Sequence, residues 1–303
     1  MTEAPQFDLA PIRALYPFTS RYARTRRGVM HYLDEGSGPG TPALLLHGNP
    51  TWSFAYRDLI RALSADRRVI APDHLGLGLS ARPGGMRLAD HIAALGELVR
   101  QLGLDHVDLV VHDWGGAIGF GAAVQQHFRP RRIVVLNTAA FLGPRVPRRI
   151  ALCVPPVLGE LGVIALNGFV RAGTVMTVTH PLPPLVRAGY QLPYRRLADR
   201  RGVLEFVRDI PQRPQHPTWP VVASIDAGLR ALAGVPLMVL WGGRDWCFDD
   251  RVLDAWQARF PAAPVTRIAG AGHYVFEDAA EVLRTRIRAW FADGGAGTGA
   301  ADV

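Results

Sequence analysis

Lysine is absent from this sequence. All 34 basic residues are arginine, set against 26 acidic residues, which leaves a formal net charge of +8. A basic surface can serve nucleic acid or an anionic membrane. Here the arginines are scattered, in short pairs such as Arg26-Arg27, Arg67-Arg68, Arg131-Arg132 and Arg195-Arg196, and no nucleic-acid-binding motif accompanies them. We read the excess as compositional and expect no nucleic-acid partner. A polyanionic partner or a peripheral membrane contact stays open. Cysteine is scarce: Cys153 and Cys247 alone cannot build a disulfide framework, so a reducing, cytoplasmic setting is expected. Residues 1–11 lack a basic region followed by an apolar core, so no signal peptide is expected. No apolar run reaches about 18 residues, so no spanning helix is expected either. Metal-ligand spacings are missing. Gly76-Leu77-Gly78-Leu79-Ser80 lacks the third glycine of a dinucleotide fingerprint and reads as a tight turn. We expect neither metal nor cofactor.

What is present is core-forming material in an alternating order. Hydrophobic residues make up 49% of the 303, enough for one large domain or a core with an inserted lobe. Strands are expected at 28–33, 43–46, 68–71, 107–111 and 133–136, and helices at 51–63, 88–102 and 117–127. Strands alternating with helices imply an α/β fold, a mostly parallel sheet flanked by helices. Ligands then gather at the carboxyl ends of the strands, where His47-Gly48-Asn49, Asp73 and Asp113 fall. Beyond Asn137-Thr138-Ala139 the pattern changes. Residues 141–217 carry many prolines and helical apolar segments, and we read them as a helical cap. Its apolar stretch from Val157 to Val178 is interrupted by Glu160, Asn167 and Arg171, so it reads as the lining of a greasy pocket in preference to a membrane contact. Strands resume at 237–241 and 265–268. The core is therefore taken as 1–140 and 218–293, and the Gly/Ala-rich tail 294–303 is expected to be disordered.

The segment Leu109-Val110-Val111-His112-Asp113-Trp114-Gly115-Gly116 carries the chemistry. An apolar strand runs into a carboxylate, two glycines follow, and a helix-compatible stretch begins. This is the layout of a nucleophile elbow with aspartate where G-x-S-x-G has serine. Val111 departs from the small residue expected two positions before the nucleophile, and a loop aspartate capping a helix is the plainer alternative. A carboxylate is ionised at neutral pH and attacks without a base. His273, in Gly270-Ala271-Gly272-His273-Tyr274, is the candidate general base. Asp245, first after the Trp241-Gly242-Gly243 turn, is the candidate that orients it, with Asp249 and Asp250 as nearby rivals. The other place for such an acid, after strand 133–136, holds the amide Asn137. The backbone N–H groups of Asn49 and Trp114 could form an oxyanion hole. The Asn49 amide and the Trp114 indole could together receive a departing anion.

These residues resemble the haloalkane dehalogenase family of α/β-hydrolase-fold enzymes. The likeness is carried by His47-Gly48-Asn49-Pro50-Thr51-Trp52, Pro72-Asp73-His74-Leu75-Gly76, His112-Asp113-Trp114-Gly115-Gly116 and Gly272-His273-Tyr274, and it spans about Tyr22 to Phe291. Epoxide hydrolases share the aspartate but use two cap tyrosines, a role open here to Tyr190 and Tyr194. A further resemblance, to the β-lactone decarboxylase branch of bacterial long-chain olefin biosynthesis, rests on Asn137-Thr138-Ala139-Ala140-Phe141, Asp209-Ile210-Pro211, Cys247-Phe248-Asp249 and Arg187-Ala188-Gly189-Tyr190. It implies a small apolar substrate, a long-chain cis-3,4-dialkyl β-lactone opened to a cis-alkene and CO2, and contact with other olefin-pathway enzymes. Haloalkane hydrolysis through an alkyl ester on Asp113 is the alternative. Attack at the ring's β-carbon and attack at its carbonyl both stay open.

Overall fold

The computed structural model describes residues 2–143 and 147–292; the tail 294–303 lies outside them. Seven strands form one sheet: β1 (Arg21–Arg24), β2 (Val29–Leu46), β3 (Arg67–Pro72), β4 (His106–His112), β5 (Arg129–Leu136), β6 (Leu237–Gly242) and β7 (Val265–Ile268). Their order is β1-β2-β4-β5-β6-β7, with β3 paired to β2 off this path. From β2 onward through β4, β5, β6 and β7 the neighbours are parallel. One rung of the sheet crosses Leu46, Val111, Val135, Val239 and Val265. That shared register brings the loops after β2, β4, β5 and β6 to one edge. Val107, Leu109, Val110 and Val111 are wholly buried, as expected of a parallel strand covered on both faces. Each such side chain contributes roughly 1.5–3 kcal/mol.

Two expected strands, 28–33 and 43–46, are parts of the single strand β2. Its first part lies antiparallel to β3, with Tyr32 opposite Pro72, and the register breaks between Glu35 and Ala43. The glycines and proline there allow the chain to bend without leaving the sheet. The helix expected at 51–63 is a tight turn, Ser53–Tyr56, followed by helix α1 (Arg57–Leu63). Helix α2 (Leu88–Gln101) lies close to its expected position. Helix α3 (Trp114–Val124) starts three residues earlier than the sequence pattern suggests, directly after Asp113. It ends before Gln126, whose φ of 59° cannot continue a helix.

Between β5 and β6 the described residues form no strand. They form short helices at Arg148–Ala151, Pro156–Gly159 (continued by a wider turn, Glu160–Ala165), Gly168–Met176, Pro184–Gln191 and Arg201–Arg208. Pro156 and Pro184 open two of them, where a missing N–H costs nothing. The apolar stretch 157–178 is not the buried lining expected. Val163 and Val170 are buried, but Val157, Leu158, Leu161, Leu166, Val175 and Met176 face solvent. The short helices there have more apolar faces than the core can cover. No helix among the described residues is long and apolar enough to cross a membrane.

Candidate active site

Asp113 sits between β4 and α3 at φ 48°, ψ −126°. A non-glycine residue rarely adopts this conformation, and it persists only where the surroundings enforce it. The Asp113 N–H donates to the Asn137 carbonyl at 3.2 Å, and the Thr138 hydroxyl donates to the Asp113 carbonyl. Gly48 is required next to it, because a Cβ there would run into the Asp113 carboxylate. Val111, the unexpectedly large residue before the elbow, is accommodated by Gly119 of α3. A Cβ on Gly119 would lie 2.9 Å from Val111 Cγ1.

The two carboxylate oxygens of Asp113 have different surroundings. Oδ1 accepts the Asn49 N–H at 2.7 Å. The Trp114 N–H also donates to the carboxylate. Oδ2 faces His273 Nε2 at 3.8 Å, beyond hydrogen-bond range. The side chain keeps 13% of its surface accessible. Burial pushes its pKa above the ordinary carboxylate range, against the opposing pull of His273 and the two backbone donors.

His273 Nδ1 lies 2.8 Å from Asp245 Oδ2 and donates to it, which leaves the Nε2 lone pair toward Asp113. Burial alone would lower the His273 pKa. Asp245, by charge and hydrogen bond, and then Asp113 outweigh it and raise the pKa above the usual imidazole value. Asp245 also accepts the Cys247 N–H at 2.6 Å and the Asn137 amide at 3.0 Å. The rivals Asp249 and Asp250 pair with Arg251 and Arg267 instead.

Asn49 and Trp114 complete the cluster. The Asn49 amide donates one hydrogen to the Val203 carbonyl at 3.1 Å, which leaves its second for an anion. Trp114 is half-buried, with its ring edge-to-face with Phe206 at 5.3 Å. Among the described residues its indole N–H meets no acceptor. Both Val203 and Phe206 belong to helix Arg201–Arg208, so the helical insertion forms one wall of the site. The five candidates from the sequence therefore meet in one place. Tyr190 and Tyr194 do not join them: the first donates to Glu277, the second to the Thr51 carbonyl at 3.3 Å. Neither hydroxyl is free to polarise an epoxide.

Sequence reasoning missed three supporting residues. Asn137 ties the end of β5 to Asp245 and to the Gly242 N–H (2.7 Å). Thr138 holds the elbow, and His112 Nε2 donates to the His273 carbonyl at 2.9 Å. The amide after β5 was visible, but not that it would reach the acid after β6.

The alpha/beta hydrolase family profile matches residues 43–285. The chain belongs to the alpha/beta hydrolase family. Within this family it is 37% identical, over 91% of its length and 96% of the relative's, to a cis-3-alkyl-4-alkyloxetan-2-one decarboxylase of Xanthomonas campestris pv. campestris. It is 36% identical to haloalkane dehalogenase 2 of Mycobacterium bovis, over 92% of this chain and 97% of that one. The crystal structure of the haloalkane dehalogenase DatA from Agrobacterium tumefaciens superposes with a TM-score of 0.82 at 24% identity, covering 92% of this chain and 98% of that one, which shows the shared fold.

Proposed function

We propose that this alpha/beta hydrolase is a β-lactone decarboxylase that converts long-chain cis-3,4-dialkyl β-lactones to cis-alkenes and CO2. Asp113 Oδ2 attacks the ring's β-carbon. The ring C–O bond breaks, and the freed carboxylate is received by the Asn49 amide and the Trp114 indole. Attack inverts the β-carbon. The new C–Oδ2 bond then stands anti to the C–CO2 bond, with both alkyl groups still on one side. Breaking the C–CO2 bond supplies the electrons of the double bond, CO2 leaves, and Oδ2 returns to Asp113. The alkene is cis and no water is consumed. The observation that carries this chemistry is the division of the Asp113 carboxylate: Oδ1 is gripped by the Asn49 N–H and Oδ2 faces His273 across the site. The substrate class is supported by the relatives' names and by the apolar residues that helix Arg201–Arg208 brings to the wall. In this reading residues 141–217 act as the cap, and the enzyme works in the cytoplasm.

A second reading is favoured by one specific observation. His273 Nε2 is placed to activate water between itself and Asp113, which haloalkane hydrolysis needs and decarboxylation does not. After alkylation at Oδ2, the Asn49 N–H on Oδ1 would hold the oxyanion of that hydrolysis. Incubation with a synthetic dialkyl β-lactone tests the first reading by release of a cis-alkene. Absence of alkene together with efficient halide release from bromoalkanes would establish the second.

A further inference from the structure

Ten large apolar side chains are conspicuously exposed among the described residues, and nine of them lie between Leu152 and Leu197. Val157 is 77% exposed, and Leu152 and Val175 are each 62% exposed. Pro156, Val157, Leu161 and Ala165 follow one another along the run Pro156–Ala165 and, with Glu160, border a shallow apolar groove; Leu158 on the same run is exposed. Arginine is concentrated in the same region. Nine arginines and three acids fall between residues 147 and 208, so a fifth of the chain carries most of the net charge. Arg148, Arg149, Arg171, Arg187, Arg195, Arg196 and Arg201 are exposed. Among the described residues none of the seven forms an ion pair. The acid exposed beside the groove, Glu160, is already neutralised by Arg208 at 2.8 Å. Helical spacing sets Arg148 one turn from Leu152 and Arg171 one turn from Val175, so charge and apolar surface share faces.

We propose that this helical surface seats the enzyme on an anionic lipid bilayer. Apolar side chains enter the acyl boundary and arginines bind headgroup phosphates, for which the guanidinium fork is well shaped. A purely apolar face would suit a second copy or a protein partner. The unpaired arginines on these same helices, Arg148 and Arg171 among them, select a negatively charged surface. Seating there would set the helices that wall the active site against the phase in which long-chain apolar molecules dissolve.

The test is co-sedimentation of the full-length chain with phosphatidylcholine vesicles, plain or containing one part in three phosphatidylglycerol. Binding is expected to the anionic vesicles and to weaken with salt. The combined change Val157→Ser, Leu158→Ser and Leu161→Ser should reduce it by about tenfold or more. Arg148→Gln with Arg171→Gln should reduce both the binding and its salt dependence. These positions are exposed, so the fold should survive, and far-UV circular dichroism checks that it does. Failure to bind anionic vesicles overturns the assignment, and so does binding indifferent to both sets of changes. A serine variant that instead dissociates an oligomer, with vesicle binding unchanged, also overturns it and identifies a protein interface. Vesicle binding is read without turnover, so its failure leaves the role of Asp113 untouched.

Discussion

Two aspartates follow strands that both pair with β2, and they have opposite fates. Asp73, after β3, is wholly buried and fully engaged. It accepts the Ser53 and Leu79 N–H groups at 2.7 Å each and faces His31 Nδ1 at 2.9 Å. Burial would raise its pKa, but His31, His47 and the backbone donors outweigh burial and hold it well below the ordinary carboxylate range. Asp113 has one oxygen engaged and one left over, and burial wins. In this pair the fully engaged carboxylate serves structure, and the one with an oxygen left over is the proposed reagent. The Asp73 set also fixes the loop that presents Asn49. His47 Nε2 accepts the His74 N–H at 3.1 Å, and His74 Nε2 donates back to the His47 carbonyl at 2.9 Å.

Substituting each acid by its amide gives the sharpest contrast. Asp113→Asn should lower turnover by at least about a thousandfold, since the amide is a poor nucleophile. The same change should raise Tm, because it removes a charge that burial penalises. Asp73→Asn should do the reverse, costing about 3 kcal/mol of stability by breaking a buried charge set, with the turnover of the protein that stays folded falling far less than in Asp113→Asn. If both variants lost activity at unchanged Tm, the distinction would fail. Next in size is His273→Ala. With a bromoalkane it should leave one covalent adduct per Asp113, seen by mass spectrometry, while β-lactone turnover should persist to within about tenfold. Trp114→Phe should lower kcat by about a hundredfold with either substrate, by removing one donor to the departing anion.

The two acids also set opposite pH dependences. Asp73 has a depressed folded pKa, so its stabilisation is present above the unfolded carboxylate pKa and is lost as pH falls through the folded value. Asp113 has a raised folded pKa, so its contribution is greatest in acid and is lost as pH rises through that value. Under the proposed roles, activity should follow Asp113 and His273. Halide turnover should rise with pH through the elevated His273 pKa. Lactone decarboxylation should already be complete above the Asp113 pKa. Coincident pH profiles for the two substrates would show that one proton-transfer group serves both. The smallest effect is expected from Cys247→Ser, within about 0.5 kcal/mol in stability and little in rate. At that position the backbone N–H donates to Asp245 at 2.6 Å, and the thiol's own hydrogen bond to Asp245 is one a serine hydroxyl can replace.

Much of this was legible in the sequence because local patterns report local structure. The strand β4, the glycines after it and the acid between them specify an elbow wherever the strand lands in the sheet. The order Asp113, Asp245, His273 and the position of Asn49 followed from counting strand ends. What could not be read depends on pairs distant in the chain. β2 is continuous through Gly36 to Gly40 because β3 supplies partners on both sides of the bend. Val111 looked wrong for an elbow until Gly119, eight residues on, was seen to receive it. The outward aspect of 157–178 was the less favoured of two readings for the same reason, since apolar spacing predicts a face but not whether anything covers it.

The unequal treatment of the Asp113 oxygens leaves an isotopic trace. In water enriched in heavy oxygen, ester hydrolysis would pass Oδ2 to the product alcohol and install a solvent atom in its place, one per cycle. Alkene formation by cleavage on the carbon side would hand the same atom back each time. After many cycles the mass of the peptide around residue 113 would therefore disclose which reaction the protein had been performing.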